Sequence, residues 1–310
     1  MVSLSFIFIN RKTKLIVNLL ITGSNGLLGQ KLVERCVKHQ ISFLATSKGV
    51  NRNPDCYDTN YREMDISSVH DIEKVFKDFQ PTHVIHTAAI TNVDYCELHP
   101  DECKVTNTDA VKLLFDASKK YNSHFQLLST DFVFDGEKGN YKEEDPVNPL
   151  SHYAQSKVDA ENILRSEHNY SNWSIVRTII VYGTGNNLSR SNLISWTIST
   201  LKNNEQIKVI DDQFRAPTWA PDLAYACIEI CLRNKNGIYH ISGPNTFSII
   251  EIVQKVADFY GLSKENIQKI SSQELNQPAK RPPKTGFDLT KAIKGLGYNP
   301  KTIEETLDLI

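Results

Sequence analysis

The sequence predicts an α/β fold, a doubly wound parallel sheet of the Rossmann type with a smaller C-terminal substrate-binding domain. Two patterns and one loop carry that expectation. Over residues 15–182 short apolar runs alternate with amphipathic stretches, and strands alternating with helices pair in parallel through right-handed crossovers. A glycine-rich turn, Gly23-Ser24-Asn25-Gly26-Leu27-Leu28-Gly29, stands between the first strand and the first helix. After residue 183 the rhythm gives way to loops, short strands and scattered helices.

In order, residues 15–22 read as a strand, 27–39 as a helix, 41–46 as a second strand and 61–66 as a short third. Residues 68–79 place Val69, Ile72, Val75, Phe76 and Phe79 on one helical face. Residues 83–88 form the fourth strand, 101–121 one helix, 125–129 the fifth strand, 151–167 a helix and 174–182 the sixth strand. Beyond it come a helix at 188–203, a strand at 206–210, a helix at 222–233, a strand at 237–242 and a helix at 248–260. The proline-rich run 277–284 excludes regular structure, because proline lacks a donor and restricts its neighbour. Residues 14–182 are expected to form the cofactor domain. Residues 183–310 form mostly the smaller domain, with some segments returning to the sheet.

The 310 residues are 40% hydrophobic, enough for one or two cored domains. A net charge of −1 provides no global field for nucleic acid or a membrane surface. No stretch reaches the roughly 18 apolar residues of a membrane span. The short apolar run 4–9 is followed, not preceded, by basic residues, unlike a signal peptide, so residues 1–13 read as an N-terminal extension. The six cysteines are scattered, as in a reducing, cytoplasmic setting. Cys227 and Cys231 share a helix face, and two ligands do not close a zinc site, so they read as core and no metal is expected.

Gly23, Gly26 and Gly29 permit a tight turn and a close backbone approach to a pyrophosphate. The helix N-terminus behind them offers free N–H groups and partial positive charge. Asn25, Leu27 and Leu28 complete that cofactor-binding loop. Its spacing is three-and-three, not the commoner two-and-three. The acid expected about 20 residues on, which would hold a ribose 2′-hydroxyl, is replaced by Thr46-Ser47-Lys48-Gly49. Ser47 and Lys48 suit a 2′-phosphate, which favours NADPH while leaving NADH possible; the plainer alternative makes Lys48 a solvated loop residue. Asp65 and Ile66 close the third strand, where Asp65 either accepts the adenine amino group or serves the following helix start. Small residues at Thr87-Ala88-Ala89 leave room for the adenosine half.

Tyr153 and Lys157 stand four apart, on one helix face. A lysine ammonium about 4 Å from a phenol, at an effective dielectric near 20, favours the phenolate by roughly 4 kcal/mol. That lowers the phenol's pKa by about three, toward the range where acid–base catalysis works best. Ser129 and Thr130 end the fifth strand, on the side of the sheet where ligands bind; Ser129 is placed with the cofactor, and the Thr130 hydroxyl can orient a substrate carbonyl toward Tyr153. Asn107 either ties a relay water near the cofactor, supports the active-site backbone or is a plain helix-surface residue.

The glycine loop, Asp65, Ser129-Thr130 and the Tyr153-x-x-x-Lys157 pair resemble, in order, the extended short-chain dehydrogenase/reductase family. Within it, four segments resemble the dTDP-4-dehydrorhamnose reductases: Asn92–Glu97, Leu128–Gly136, Arg177-Thr178 with Val181-Tyr182, and Ala216–Thr218 followed by Asp222–Ala224. The resemblance implies that Tyr153 is the proton donor, that Lys157 holds the ribose and tunes Tyr153, and that Thr130 binds a sugar 4-keto oxygen. It implies a sugar-nucleotide substrate, contacted by Thr130, Asp131, Tyr153, Ile180 and Arg281, and a monomer or homodimer. Related dehydratases carry an acid pair after the threonine; here Phe132 follows Asp131, so dehydration is not expected. The reductases usually have a tryptophan in the strand before Val-Tyr, where this chain has Ile179-Ile180. Arg281 meets a pyrophosphate or belongs to a solvated basic loop. A sugar-nucleotide epimerase and a non-catalytic subunit retaining the fold are the competing readings.

Overall fold

The computed structural model describes residues 17–310, so the extension 1–13 and the start of the first predicted strand lie outside the described residues. The first half runs β1 (Asn18–Thr22), α1 (Leu27–Lys38), β2 (Ser42–Ser47), β3 (Tyr61–Glu63), α2 (Val69–Phe79), β4 (His83–His86), α3 (Val93–Leu98), α4 (Pro100–Lys104), α5 (Ala110–Lys120), β5 (His124–Thr130), α6 (His152–Arg165) and β6 (Trp173–Thr178). The second half runs β7 (Val181–Tyr182), α7 (Leu193–Lys202), β8 (Ile207–Ile210), β9 (Phe214–Arg215), β10 (Thr218–Trp219), α8 (Ala220–Leu232) and β11 (Gly237–Ile241). It ends with β12 (Phe247–Ser248), α9 (Ile249–Phe259), β13 (Ile267–Ile270), α10 (Ser272–Leu275) and α11 (Thr290–Leu296).

Seven parallel strands form the central sheet in the order β11-β6-β5-β4-β1-β2-β3. Successive side chains of a strand point to opposite faces. Leu19 and Ile21 of β1 therefore join one core layer with α1, α8 and α11, while Leu20 joins the other with α2, α5 and α6. The helices follow from their patterns. In α2, Ile72, Val75 and Phe76 are buried at helical spacing, Ser68 caps the start by accepting from the Asp71 N–H, and Gln80 ends it at φ +50°.

The order reverses beside β1, whose neighbours are β2 and β4, and ligands of such sheets sit in the crevice beyond the strand ends at that point. The second half is not separate from this sheet. β11 pairs in parallel with β6, and α8 packs on α1 with Arg35 over the Tyr225 ring. Around α7, α9 and the β8–β13 pair lie smaller apolar clusters of its own.

Three predicted elements differ in instructive ways. The helix expected at 101–121 runs from Pro100 to Lys120, with α4 passing into α5 through a π-helical turn over Val105–Asp109. The strand expected at 174–182 stops at Thr178. Ile180 then takes φ +29°, an uncommon conformation for a β-branched residue, and β7 leaves the sheet to pair with β10. The kink is held because the Thr218 N–H donates to the Ile180 carbonyl at 3.1 Å. The helix expected at 188–203 begins only at Leu193, where Asn192 accepts from the N–H groups of Ile194 and Ser195. Cys227 and Cys231 are both buried in the core face of α8.

Candidate active site

Beyond the ends of β1, β4 and β5 opens a cleft of about 550 Å³. Gly23, Gly26, Leu27, Leu28 and Gly29 line one end; Thr87 and Ala89 follow β4; Ser129, Thr130, Asp131, Tyr153, Lys157 and Ile180 line the other.

Local geometry explains the glycine end. Gly23 sits at φ +72°, and a Cβ there would lie 2.6 Å from the Ala88 nitrogen, so the turn closes only without a side chain. A Cβ on Gly29 would lie 2.3 Å from the Gly23 carbonyl oxygen. α1 starts at Gly26 with no side-chain cap and no acid in its first turn, which leaves its leading N–H groups and positive dipole end facing the cleft.

At the other end, α6 presents Tyr153 and Lys157, and Ser151 caps the start of the helix by accepting from the Ala154 N–H. Both side chains are buried. The Tyr153 hydroxyl is in hydrogen-bond reach of Thr130. Lys157 stands above Glu161, which forms a buried two-pronged pair with Arg177 (2.6 and 2.9 Å) and accepts from the Ser129 hydroxyl at 2.6 Å. Burial pulls the Lys157 ammonium down to about 8, against the Glu161 carboxylate, which raises it.

Here the expected tuning of the phenol is reversed. Burial pushes Tyr153 well above the usual tyrosine range; Thr130 lowers it, and the nearby Asp131, Cys96 and Cys103 raise it further. The cause is the enclosure of the ring, whose neighbours include anionic or potentially anionic groups, so Tyr153 rests as a neutral phenol with its proton to give.

Thr130 is more committed than the pattern suggested. Its hydroxyl donates to Asp131 Oδ1 at 3.1 Å and accepts from the Phe132 N–H at 3.2 Å. Asp131, expected to contact substrate, lines the cleft and is 2% exposed. Its second oxygen accepts from the Thr285 hydroxyl at 2.5 Å and lies 3.7 Å from the Arg215 Nε. Phe132 packs edge-on against Tyr153, ring centroids 6.1 Å apart.

Several predicted residues lie behind or beside the cleft. Asn107 is buried in the π-helical turn, where it holds the Ile90 backbone by accepting from its N–H and donating to its carbonyl, each at 2.9 Å. It supports the backbone and does not line the cleft. Ser47 accepts from the Asn25 N–H at 3.1 Å, and the Asn25 side chain bridges to Val50 and Arg52. Lys48 is exposed but paired with Asp65 at 2.8 Å, a contact that with Ser67 holds the Asp65 carboxyl down to about 2. Ile66 packs against the core layer of α2. Arg281 is no solvated loop cation: Asp94 holds it by two bonds of 2.7 and 3.0 Å, at the edge of a neighbouring cavity shared with Phe132, Ile180 and Arg215.

The sequence reading missed Thr91, Val93 and Phe132 of the cleft wall, Leu223 of α8, and the loop 188–193. That loop is tied across the cleft. Asn186 exchanges two bonds with the Gln30 side chain, at 2.7 and 2.8 Å, and Arg190 donates to the Thr91 hydroxyl at 2.6 Å. The signal was present in Gly183 and Gly185, which mark a loop at the end of a strand on the ligand side.

A Rossmann sheet whose crevice joins a glycine loop to a threonine, a tyrosine and a lysine defines an extended short-chain dehydrogenase/reductase. Narrower still, the chain belongs to the RmlD substrate binding domain family, whose profile matches residues 17–310. It is 30% identical over 301 residues to a dTDP-4-dehydrorhamnose reductase of Aggregatibacter actinomycetemcomitans, covering 93% of this chain and 96% of that one. Among solved structures it is similar to a dTDP-4-dehydrorhamnose reductase of Clostridium acetobutylicum, with a TM-score of 0.82 and 28% identity over 94% and 97% of the two chains. It is also similar to that of Bacillus anthracis in complex with NADP, with a TM-score of 0.78 and 27% identity over the same shares.

Proposed function

We propose that this protein is an NADPH-dependent oxidoreductase that reduces the 4-keto group of a deoxysugar nucleotide, as a dTDP-4-dehydrorhamnose reductase does. One observation carries the reading: a proton-bearing Tyr153, with Thr130 and Lys157, lines the same cleft as the uncapped start of α1. That helix end, cleared of side chains by Gly23, Gly26 and Gly29, fits a pyrophosphate. NADPH, when bound, supplies a hydride for the keto carbon. The chain supplies the rest. Lys157 offers a charged donor to the ribose, and Tyr153 gives its proton to the carbonyl oxygen as charge develops there. Ser47 and Lys48 stand ready for a 2′-phosphate, which would compete with Asp65 for the Lys48 ammonium.

The test is NADPH oxidation against 4-keto-6-deoxy sugar nucleotides, with the product identified by NMR. Tyr153→Phe is expected to lower kcat by about 10²–10⁴-fold and leave NADPH affinity unchanged. An unaffected rate in that variant, or a clear preference for NADH in the parent protein, would overturn the respective half of the reading.

A further inference from the structure

The segment 279–287 crosses from the second half onto the wall of the active site, and its attachments are specific. Asp94 of α3 grips Arg281 and the Ala279 N–H. The Arg215 guanidinium donates to the carbonyls of Pro282 (2.7 Å), Pro283 (3.3 Å) and Phe214 (2.8 Å). Phe214 bonds both ways with the segment, donating to the Pro283 carbonyl and accepting from the Thr285 N–H. Tyr141 and the Gly286 carbonyl fasten its far end at 2.7 Å. The two prolines seat against Gly136, where a Cβ would come within 2.7 Å of Pro282. The result is to place the Thr285 hydroxyl and the Arg215 Nε on the same oxygen of Asp131.

The other oxygen of Asp131 accepts a hydrogen bond from the Thr130 hydroxyl. A threonine hydroxyl has one donor and two acceptor positions. With its donor on Asp131 and one acceptor position filled by the Phe132 N–H, the Thr130 hydroxyl is held in one orientation, in hydrogen-bond reach of Tyr153. We propose that Asp131 is a positioning residue: through it the docked segment 279–287 and Arg215 fix the orientation of the Thr130 hydroxyl in the cleft wall it shares with Tyr153, and so set the surroundings of the proton donor.

This rests on the reductase reading for its kinetic arm, and a spectroscopic arm stands apart from it. Thr285→Val keeps the size and burial of the side chain and removes the donor. In that variant kcat is expected to fall about tenfold, with KM for NADPH and for the sugar nucleotide unchanged, because a hydrogen bond to the buried Asp131 carboxyl is lost away from both ligands. Thr285→Ser restores the donor and is expected to recover most of the rate. A rise in substrate KM with kcat unchanged would mean instead that this region contacts the sugar nucleotide directly, and the proposal fails.

Independently of turnover, the protein carrying [13Cζ]tyrosine gives a Tyr153 resonance, identified by its loss in Tyr153→Phe. Asp131→Asn and Thr285→Val are expected to shift that resonance, and Thr285→Ser to leave it near the parent position. A resonance unmoved in either Asp131→Asn or Thr285→Val overturns the proposal whatever the enzyme reduces. A resonance that moves as expected in a protein inert toward every 4-keto sugar nucleotide leaves the positioning role standing and removes the reductase reading. Thermal melts of each variant separate a local change from a failure to fold.

Discussion

Lys157 holds its charge where burial opposes it, and Glu161 one turn on restores part of the balance. Free-enzyme kcat/KM reports the ionisation of groups needed before substrate binds. Since Lys157 titrates near 8, kcat/KM is expected to fall as pH rises through about 8, readable from initial rates between pH 6 and 10. The conformational linkage has the opposite sign. A lysine whose folded pKa lies below its unfolded 10.5 binds fewer protons folded than unfolded between those values, so this group adds stability as pH rises from 8 to 10.5. Tyr153 and Lys157 were legible from spacing alone, because helical periodicity puts them on one face. The state of the phenol was not. It depends on enclosure and on Asp131, Cys96 and Cys103, which only the folded chain brings near. Asp131 was legible as a site residue, but its partners Thr285 and Arg215 lie 154 and 84 positions away, and no local pattern joins them.

Of the elements, α1 is the most dependent on its glycines. Alanine is preferred to glycine inside a helix by about 1 kcal/mol. Gly29→Ala would still lose, because its Cβ would meet the Gly23 carbonyl at 2.3 Å, a backbone atom that cannot step aside without moving the loop. The expected outcome is a folded protein whose NADPH affinity, measured by calorimetric titration, drops by more than about tenfold, or roughly 1.4 kcal/mol. The strand–glycine–helix unit could be read because three adjacent signals agree. The π-helical turn inside the predicted 101–121 helix could not. It carries Asn107, which bonds the Ile90 backbone, a contact across 17 residues. Likewise nothing local says that β7 abandons the sheet at Ile180; the cause is Thr218, 38 positions on.

Across the whole molecule, four histidines among the described residues are buried, and burial lowers them all: His86 and His240 to about 3, His124 to about 4, and His83 below its usual range. His124 is boxed by Asn172 and Ser174, and His240 stacks on Phe287. An unfolded histidine titrates near 6.5, so below that pH the unfolded chain takes up protons that the fold refuses. Stability is therefore complete above about pH 6.5 and is lost progressively as pH falls toward 4 and 3. Urea midpoints at pH 7.5 and 5.5 are expected to differ, with each histidine contributing about 1 kcal/mol of the loss. The alternation of strands and helices was enough to announce a doubly wound sheet, because parallel pairing leaves few topologies. It also suggested that later segments rejoin the sheet. Which strand edge they cover was hidden, since the β11–β6 pairing joins residues 63 apart with nothing local to mark it.

That last pairing makes the two halves inseparable in practice. β6 has β5 on one side and β11 on the other, and α8 covers α1 from beyond the loop after Tyr182. A fragment ending at that loop would keep Gly23, Gly26 and Gly29 and both members of the Tyr153–Lys157 pair, yet expose a bare row of backbone donors and acceptors along β6 and an uncovered greasy flank on its first helix. It would meet its own copies before it met a nucleotide. The dinucleotide module here cannot be excised and transplanted; it travels with the rest of the chain.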